Sequence, residues 1–350
     1  MALVLFLAAV LWGIGTMIRL PMQGRIAMIG LLYVAVLMLQ TVLPQGHALR
    51  EATGGSPALW VLIGGFVGLI LLYRWGLTRL RRRAAQKEAA NAPAPTPGTF
   101  SETELDRYAR QIVLREIGGP GQKRLKQAKV LVIGAGGLGA PALQYLAATG
   151  VGTIGVIDDD VVENANLQRQ VIHPDTNVGM PKVFSAEAAM IAQNPYVTVR
   201  PYHRRLEADI AADLFADYDI ILDGTDNFAT RYLSNATAAA LGKPLISGAL
   251  SQWEGQLSVF DPARGAPCYQ CIFAEAPAAH LAPSCAEAGV LGPLPGVIGA
   301  MMAVEAVKLI TGAGQPLRGQ MLIYDALYSE TRTIALAPRA DCPTCGSCSA

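Results

Sequence analysis

The chain has 350 residues, 52% hydrophobic and only 16% charged, with a mean hydropathy of +0.33 and a net charge of +1. An ordinary soluble chain carries roughly 25% charge, so part of this one is solvated by something other than water. Such apolarity excludes intrinsic disorder, and the small net charge argues against a whole-protein polyanion binder.

The charge is unevenly placed. Residues 1–91 hold nine basic side chains (Arg19, Arg25, Arg50, Arg74, Arg79, Arg81, Arg82, Arg83 and Lys87) against Glu51 and Glu88, a net +7 that leaves −6 for the remainder. Within this first part lie three apolar runs, 2–18, 26–43 and 58–73, each about 16–18 residues and hence roughly 24–27 Å as a helix. They read as a three-helix transmembrane region over 1–78. Trp12, Trp60, Tyr73 and Trp75 include rings suited to the interfaces. Arg19 and Arg25 join the first two runs, and Arg74, Arg79 and Arg81–Arg83 follow the third. By the positive-inside rule both sets are cytoplasmic, which puts the amino terminus and the loop 44–57 outside. The first run lacks the basic start and small-residue cleavage site of a signal peptide. Residues 79–99, RLRRRAAQKEAANAPAPTPGT, turn basic and then Pro/Ala-rich. They read as a linker with an extended proline section, its basic part set against anionic headgroups.

From residue 100 onward the pattern is that of an α/β domain. KVLVIGAGGLGAPALQYLAATG (Lys129–Gly150) passes from a β-branched strand through glycines into an apolar helix, and TIGVIDDD is a second strand ending in acids. YDIILDGTDN and PLISGAL read as further buried strands, QLSVF and MLIYDAL as antiparallel ones. The expected fold is a Rossmann-like, mostly parallel sheet with helices on both faces and a ligand beyond the carboxyl ends of its strands. Gly134, Gly136 and Gly139 satisfy G-x-G-x-x-G, with Asp158 closing the next strand. Glycines let backbone N–H groups approach a phosphate at a helix amino terminus, and the acid can accept from ribose hydroxyls. Taken alone, this fingerprint suits NAD or FAD as well as ATP.

Further along, Asn166 and Arg169 are one helical turn apart, Lys182 follows Pro181 at a helix start, and Asp226 lies just past a strand. Hydride transfer needs no such convergence of cations and a carboxylate. Nucleotidyl transfer does, to stabilise departing pyrophosphate and to hold magnesium.

RYARQ (Arg107–Gln111), GAGGLG, DDDVVENANLQRQ, GMPK, LDGTDN, CYQC, SCAEAGVLG and CPTC occur in an order that resembles the MoeB/ThiF/HesA family, bacterial relatives of ubiquitin-activating enzymes. The resemblance spans about 100–346 and leaves the membrane region unexplained. It implies an ATP site in which Gly137 and its neighbouring glycines cradle the nucleotide and Asp158 holds the ribose. Asn166, Arg169 and Lys182 would contact phosphates, and Asp226, with Asn227 beside it, would bind Mg2+ and position the α-phosphate. Arg110 resembles an arginine that reaches into the partner subunit's site, which implies a homodimer; read by itself it is a solvated helix residue. The implied reaction is adenylation of the C-terminal glycine carboxylate of a ubiquitin-like sulfur carrier ending in Gly-Gly, MoaD-like or ThiS-like, in molybdopterin or thiamin biosynthesis. The charge pattern, with the basic segments inside, puts this domain on the cytoplasmic side of the inner membrane. No rhodanese-like sequence follows Cys345, so the sulfur donor is expected to be separate.

Six cysteines lie in this second part. Cys268-Tyr-Gln-Cys271 and Cys342-Pro-Thr-Cys345 are two C-x-x-C knuckles that together suit a closed four-thiolate Zn2+ site stapling the C-terminal part to the domain. Cys348 has no assigned partner. Cys285 matches a family cysteine that in some relatives bonds covalently to the activated carrier and in others is dispensable, so both readings stand. His173, His203 and His280 read as ordinary surface or core histidines. An NAD/FAD oxidoreductase, a membrane-anchored nucleotide-binding scaffold and adenylation of a tRNA nucleotide remain as competing functions. The −6 charge gives no encouragement to nucleic-acid binding.

Overall fold

Two separately packed units make up the chain, one running to Pro95 and the other starting at Thr96. The structure, a computed structural model, describes residues 2–18, 20–91, 99–277 and 288–346, over 81–91 by backbone alone. Arg19, His280, Cys285, Cys348 and the prolines of the linker fall outside the described residues.

The first unit consists of α1 (Ala2–Met17), α2 (Met22–Val42), the short α3 (Ala48–Ala52) and α4 (Pro57–Asn91). Val4, Val36 and Trp60 make its small core, with Tyr33 and Ile63 packed against them. Most other large apolar side chains face outward; Leu31 and Leu62 are 71% and 70% exposed. Met22–Val42 and Pro57–Leu80 are long and apolar enough to cross a membrane, whereas Ala2–Met17 is shorter. Polar groups close the connection between α2 and α4. The Gln40 amide nitrogen donates to Thr53 Oγ1 at 2.7 Å and to the Arg50 carbonyl at 2.9 Å, and Trp60 Nε1 donates to the Thr53 carbonyl at 3.0 Å. α4 continues through the basic stretch as far as Asn91. The stretch RLRRRAAQKEAAN is rich in helix formers and meets no proline before Pro93.

The second unit opens with α5 (Glu102–Ile112), started by a capping box between Ser101 and Glu104, and α6 (Gly118–Gln127). The strands β1 (Lys129–Ile133), β2 (Thr153–Ile157), β3 (Thr198–Tyr202), β4 (Ile220–Asp223), β5 (Leu245–Leu250), β6 (Glu254–Phe260), β7 (Gln320–Asp325) and β8 (Glu330–Ala335) form one sheet ordered β3-β2-β1-β4-β5-β6-β7-β8. β3 to β5 in that order pair in parallel, and β5 to β8 antiparallel. The chain leaves β1 toward β3 and returns to place β4 on the other side of β1. That reversal opens a crevice at the carboxyl ends of β1 and β4.

Side chains alternate across the sheet. Val130 and Val132 of β1 face α7 (Gly139–Thr149), α8 (Lys182–Gln193) and α12 (Leu294–Thr311), in a core with Leu143, Met190, Ile298 and Met302. Leu131 and Ile133 face α9 (Ala208–Ala216) and α10 (Phe228–Ala240), in a core with Phe215, Tyr218 and Ala238. Helices thus cover both faces, as the strand–helix alternation requires. β3 and β8 had no counterpart among the strands read from sequence. Both are edge strands; β8 is exposed along its whole length and β3 carries Pro201, so neither shows the apolar run of a buried strand.

Candidate active site

A cleft of about 590 Å³ opens beyond the carboxyl ends of β1, β2, β4 and β5. Its floor is the turn between β1 and α7. Gly134 sits at φ +90°, a conformation costly for any side chain, and donates its N–H to the Ile157 carbonyl at 2.9 Å. At Gly139 a Cβ would land on the Gly134 carbonyl oxygen, so the helix can start this close only with glycine there. Gly136 and Gly137 line the cleft itself.

Asp158 closes β2 and accepts two backbone donors, Ala135 N–H at 2.7 Å on one oxygen and Asp160 N–H at 2.8 Å on the other. Each oxygen keeps a second lone pair for a ligand hydroxyl. Burial, the largest influence, raises the Asp158 pKa above the ordinary value, while Lys182 and the two N–H donors oppose it. Asn166 ends a single 3₁₀ turn and accepts from the Arg169 guanidinium at 2.8 Å; its own amide donates to Glu163. Arg169 lines the cleft, held from behind by Asn166, which is not among the lining residues. Lys182 is the first residue of α8, buried, with Nζ 2.7 Å from Asp160, whose carboxylate is largely exposed. Asp226 is exposed on the cleft wall between β4 and α10, and Asn227 caps α10 by accepting the Thr230 N–H at 2.9 Å.

Gly134, Gly136, Gly137, Asp158, Arg169, Lys182, Asp226 and Asn227 therefore meet around one cavity. Arg110 does not: it is exposed on α5 and absent from the cleft lining. Its neighbour Arg107 instead donates to the Gln193 carbonyl at 2.8 Å and lies over Tyr196.

Three further residues, two lining the cleft and one behind it, escaped the sequence reading. Gln170, 4% exposed, lines the cleft with its side-chain oxygen unpartnered. Arg231, 6% exposed on α10, donates to Ser247 Oγ, to the Gly248 carbonyl and to the Thr225 carbonyl. Asp223 takes the Thr225 N–H and hydroxyl on one oxygen, at 2.9 and 2.7 Å. Thr225 is thus fixed at both ends, which sets the direction of Asp226 after it. An arginine on an otherwise alanine-rich helix, four residues beyond the Asn227 cap, was the signal in the sequence.

The four thiols of Cys268, Cys271, Cys342 and Cys345 are all buried and lie within 4.8 Å of one another. Sγ–Sγ distances of 3.3, 3.5 and 3.8 Å are far too long for a disulfide. They approach the edge of a tetrahedron, roughly 3.8 Å, expected for metal–sulfur bonds of about 2.3 Å. Burial pushes the Cys268 thiol up to about 11. At Cys342 burial acts the same way, but hydrogen bonds from the N–H groups of Cys345 and Thr344 and from the Cys268 and Cys271 thiols together outweigh it and bring the thiol down to about 7. The donor set fits zinc. Cys268 and Cys271 flank the start of α11 (Tyr269–Ile272), so the same knuckle positions Tyr269 and Phe273 on the cleft wall.

Residues 108–344 match the model of the ThiF family. The chain is 47% identical to a sulfur carrier protein adenylyltransferase of Thermus thermophilus over 251 residues, 71% of this chain and 93% of that one. It is 48% identical over 248 residues to a SAMP-activating enzyme E1 of Haloferax volcanii, covering 71% and 91%. With the probable adenylyltransferase/sulfurtransferase MoeZ of Mycobacterium tuberculosis the identity is 52% over 240 residues, 68% of this chain and 61% of the relative. Among solved structures, E. coli MccB crystallised with ATP superposes at a TM-score of 0.59 with 22% identity, over 72% of this chain and 77% of that one, a likeness of fold.

Proposed function

This chain belongs to the ThiF family, and we propose that it transfers the adenylyl group of ATP to the C-terminal glycine carboxylate of a ubiquitin-like sulfur carrier. The observation that carries this reading is the meeting of Asp158, Arg169, Lys182 and Asp226 over a glycine turn at the sheet's switch point. The relatives' names, sulfur carrier protein adenylyltransferase and SAMP-activating enzyme E1, support the same activity.

The attacking group is a carboxylate, ionised at neutral pH, so no protein base is required. One of its oxygens bonds to the α-phosphorus as the bond to the α–β bridging oxygen breaks, giving acyl-adenylate and pyrophosphate. What the protein supplies is position and charge. The glycine turn presents N–H donors to phosphate, Asp158 accepts from the ribose hydroxyls, and Arg169 and Lys182 stabilise the negative charge that moves onto pyrophosphate. Lys182 is suited to this because burial holds its ammonium on the cleft, 2.7 Å from the Asp160 carboxylate. Asp226, with Asn227 beside it, would hold Mg2+, which when bound neutralises phosphate charge. Arg110, away from its own cleft, would serve the site of a second copy in a homodimer. The four cysteines would hold one structural Zn2+.

The oxidoreductase reading leaves the Arg169–Lys182 pair and the braced Asp226 turn without a task. α2 and α4, with α1, would place the active unit on the cytoplasmic face of a membrane, and the sulfur donor would be a separate protein.

The test is exchange of labelled pyrophosphate into ATP, with several Gly-Gly-ended carriers supplied in turn. Exchange should require a carrier and should fall at least about a hundredfold in Asp226→Ala, the scale on which removing a charge-stabilising group acts. ATP binding without carrier-dependent exchange would overturn the proposal. Metal analysis should find one zinc per chain, absent after Cys342→Ser with Cys345→Ser; retention of zinc in that double variant would refute the assignment.

A further inference from the structure

We propose that His173 is a positioning residue of the nucleotide cradle, fixing the peptide that joins Ala135 to Gly136. The proposal rests on the reading that a nucleotide lies over the glycine turn.

His173 is 5% exposed, and both of its ring nitrogens are engaged. Nε2 lies 2.9 Å from the Ala135 carbonyl oxygen, and Nδ1 lies 3.0 Å from Ser185 Oγ. A carbonyl can only accept, so Nε2 carries the proton and Nδ1 offers its lone pair to the Ser185 hydroxyl. Ser185 Oγ in turn accepts from the Asn177 amide at 3.0 Å. Donation therefore runs one way, Asn177 to Ser185 to His173 to Ala135. Burial, the largest influence, and the nearby Lys182 hold the imidazole pKa below its ordinary value, which favours the neutral ring this chain requires.

The consequence lies at the turn. Asp158 holds the N–H of Ala135 and His173 holds its C=O, so this one residue is pinned on both sides. A trans peptide is planar, with C=O and N–H pointing in opposite directions. Anchoring the Ala135 carbonyl therefore fixes the heading of the Gly136 N–H, which has no partner among the described residues and belongs to a cleft-lining residue. Glycine flanks this peptide, so without the anchor it rotates at little steric cost. Ser185 stands one turn beyond Lys182 on α8, so the same helix start carries both the ring's partner and the buried ammonium.

The experiment uses the full chain in detergent, with a non-hydrolysable ATP analogue measured by calorimetry and KM and kcat measured by carrier-dependent exchange. His173→Leu and His173→Asn, which lack a donor at the Nε2 position, should weaken analogue binding and raise KM for ATP about tenfold, the scale of one lost hydrogen bond to a buried acceptor. Both should leave kcat and the KM for carrier within about twofold. His173→Gln, whose amide nitrogen reaches the Nε2 position, should recover binding to within about threefold of the wild type. Should the Leu variant fail to fold, Ser185→Ala and the ring nitrogen NMR signals of the wild-type chain carry the test: weaker analogue binding and an Nε2–H tautomer are expected. The proposal is overturned by wild-type affinity in His173→Asn, by a Gln variant no better than Leu, or by an Nδ1–H tautomer. If the wild-type chain binds no analogue at all, the nucleotide reading falls and takes this inference with it.

Discussion

Met22–Val42 and Leu294–Thr311 are both apolar helices long enough to cross a membrane, and they have opposite surroundings. In the first, Leu31 and Val42 are 71% and 78% exposed. In the second, Ile298 and Met302 are fully buried, packed with Leu257 and Val259 of β6 and with α7. Even the charged residues of this second helix are tied down: Glu305 pairs with Lys308 at 2.5 Å and accepts the Leu317 N–H at 2.9 Å. Length and apolarity say that a helix must be covered; what covers it depends on whether the rest of the chain supplies a matching face. The sheet of the second unit supplies one for Leu294–Thr311. The first unit has three main helices and a small core, and most of its apolar surface stays uncovered by protein.

The sharpest way to break this comparison is a matched pair of truncations. Ile298→Ala empties space in a close-packed core and should cost about 2–5 kcal/mol in denaturant unfolding of the second unit. Leu62→Ala, on a side chain 70% exposed, should stay within about 0.5 kcal/mol in detergent. Equal costs at the two sites would mean that the first unit hides a core of comparable density.

A smaller effect separates the units by pH. The His173 ring binds a proton less readily when folded than its ordinary value of 6.5 implies. As pH falls through that value the unfolded chain takes up more protons than the folded one, so this contribution to stability is full above about 6.5 and lost below it. Its slope is at most about 1.4 kcal/mol per pH unit. Thermal scans of the second unit from pH 7.5 to 5.5 should show a shallower decline in His173→Gln than in the wild type. Parallel declines would assign the slope to other groups.

The least change is expected from removing the first unit altogether. A chain beginning at Thr99 should leave the membrane fraction and keep carrier-dependent exchange within about twofold, since every cleft-lining residue lies beyond that point. Loss of exchange in a folded truncated chain would show that the helices contribute to the chemistry.

Much of the site was legible because it is written locally. The β1–turn–α7 glycines, Asp158 at the end of β2, Lys182 after Pro181 and Asp226 after β4 each sit at a junction that a dozen residues define. The rest involves partners far apart in sequence. Ala135 and His173 are 38 residues apart, and Arg231 braces Thr225 only because β5 brings Ser247 and Gly248 beneath it. Nor does an isolated Arg or His in the sequence show which carbonyl it will meet.

By itself, then, the sequence indicated six of the eight strands with the helices between them, where charge separates the two units, and which side chains are candidates for phosphate and thiolate chemistry. These follow from hydrophobic period, glycine placement and pair spacing, all short-range properties of the chain. Only the tertiary structure decided that Leu294–Thr311 is covered by a sheet, that β8 extends it with wholly exposed side chains, that thiols 74 residues apart gather in one cluster, and that His173 anchors the glycine turn. Those are contacts between distant segments, and they exist only once β-sheet register and helix packing have brought both partners to one place.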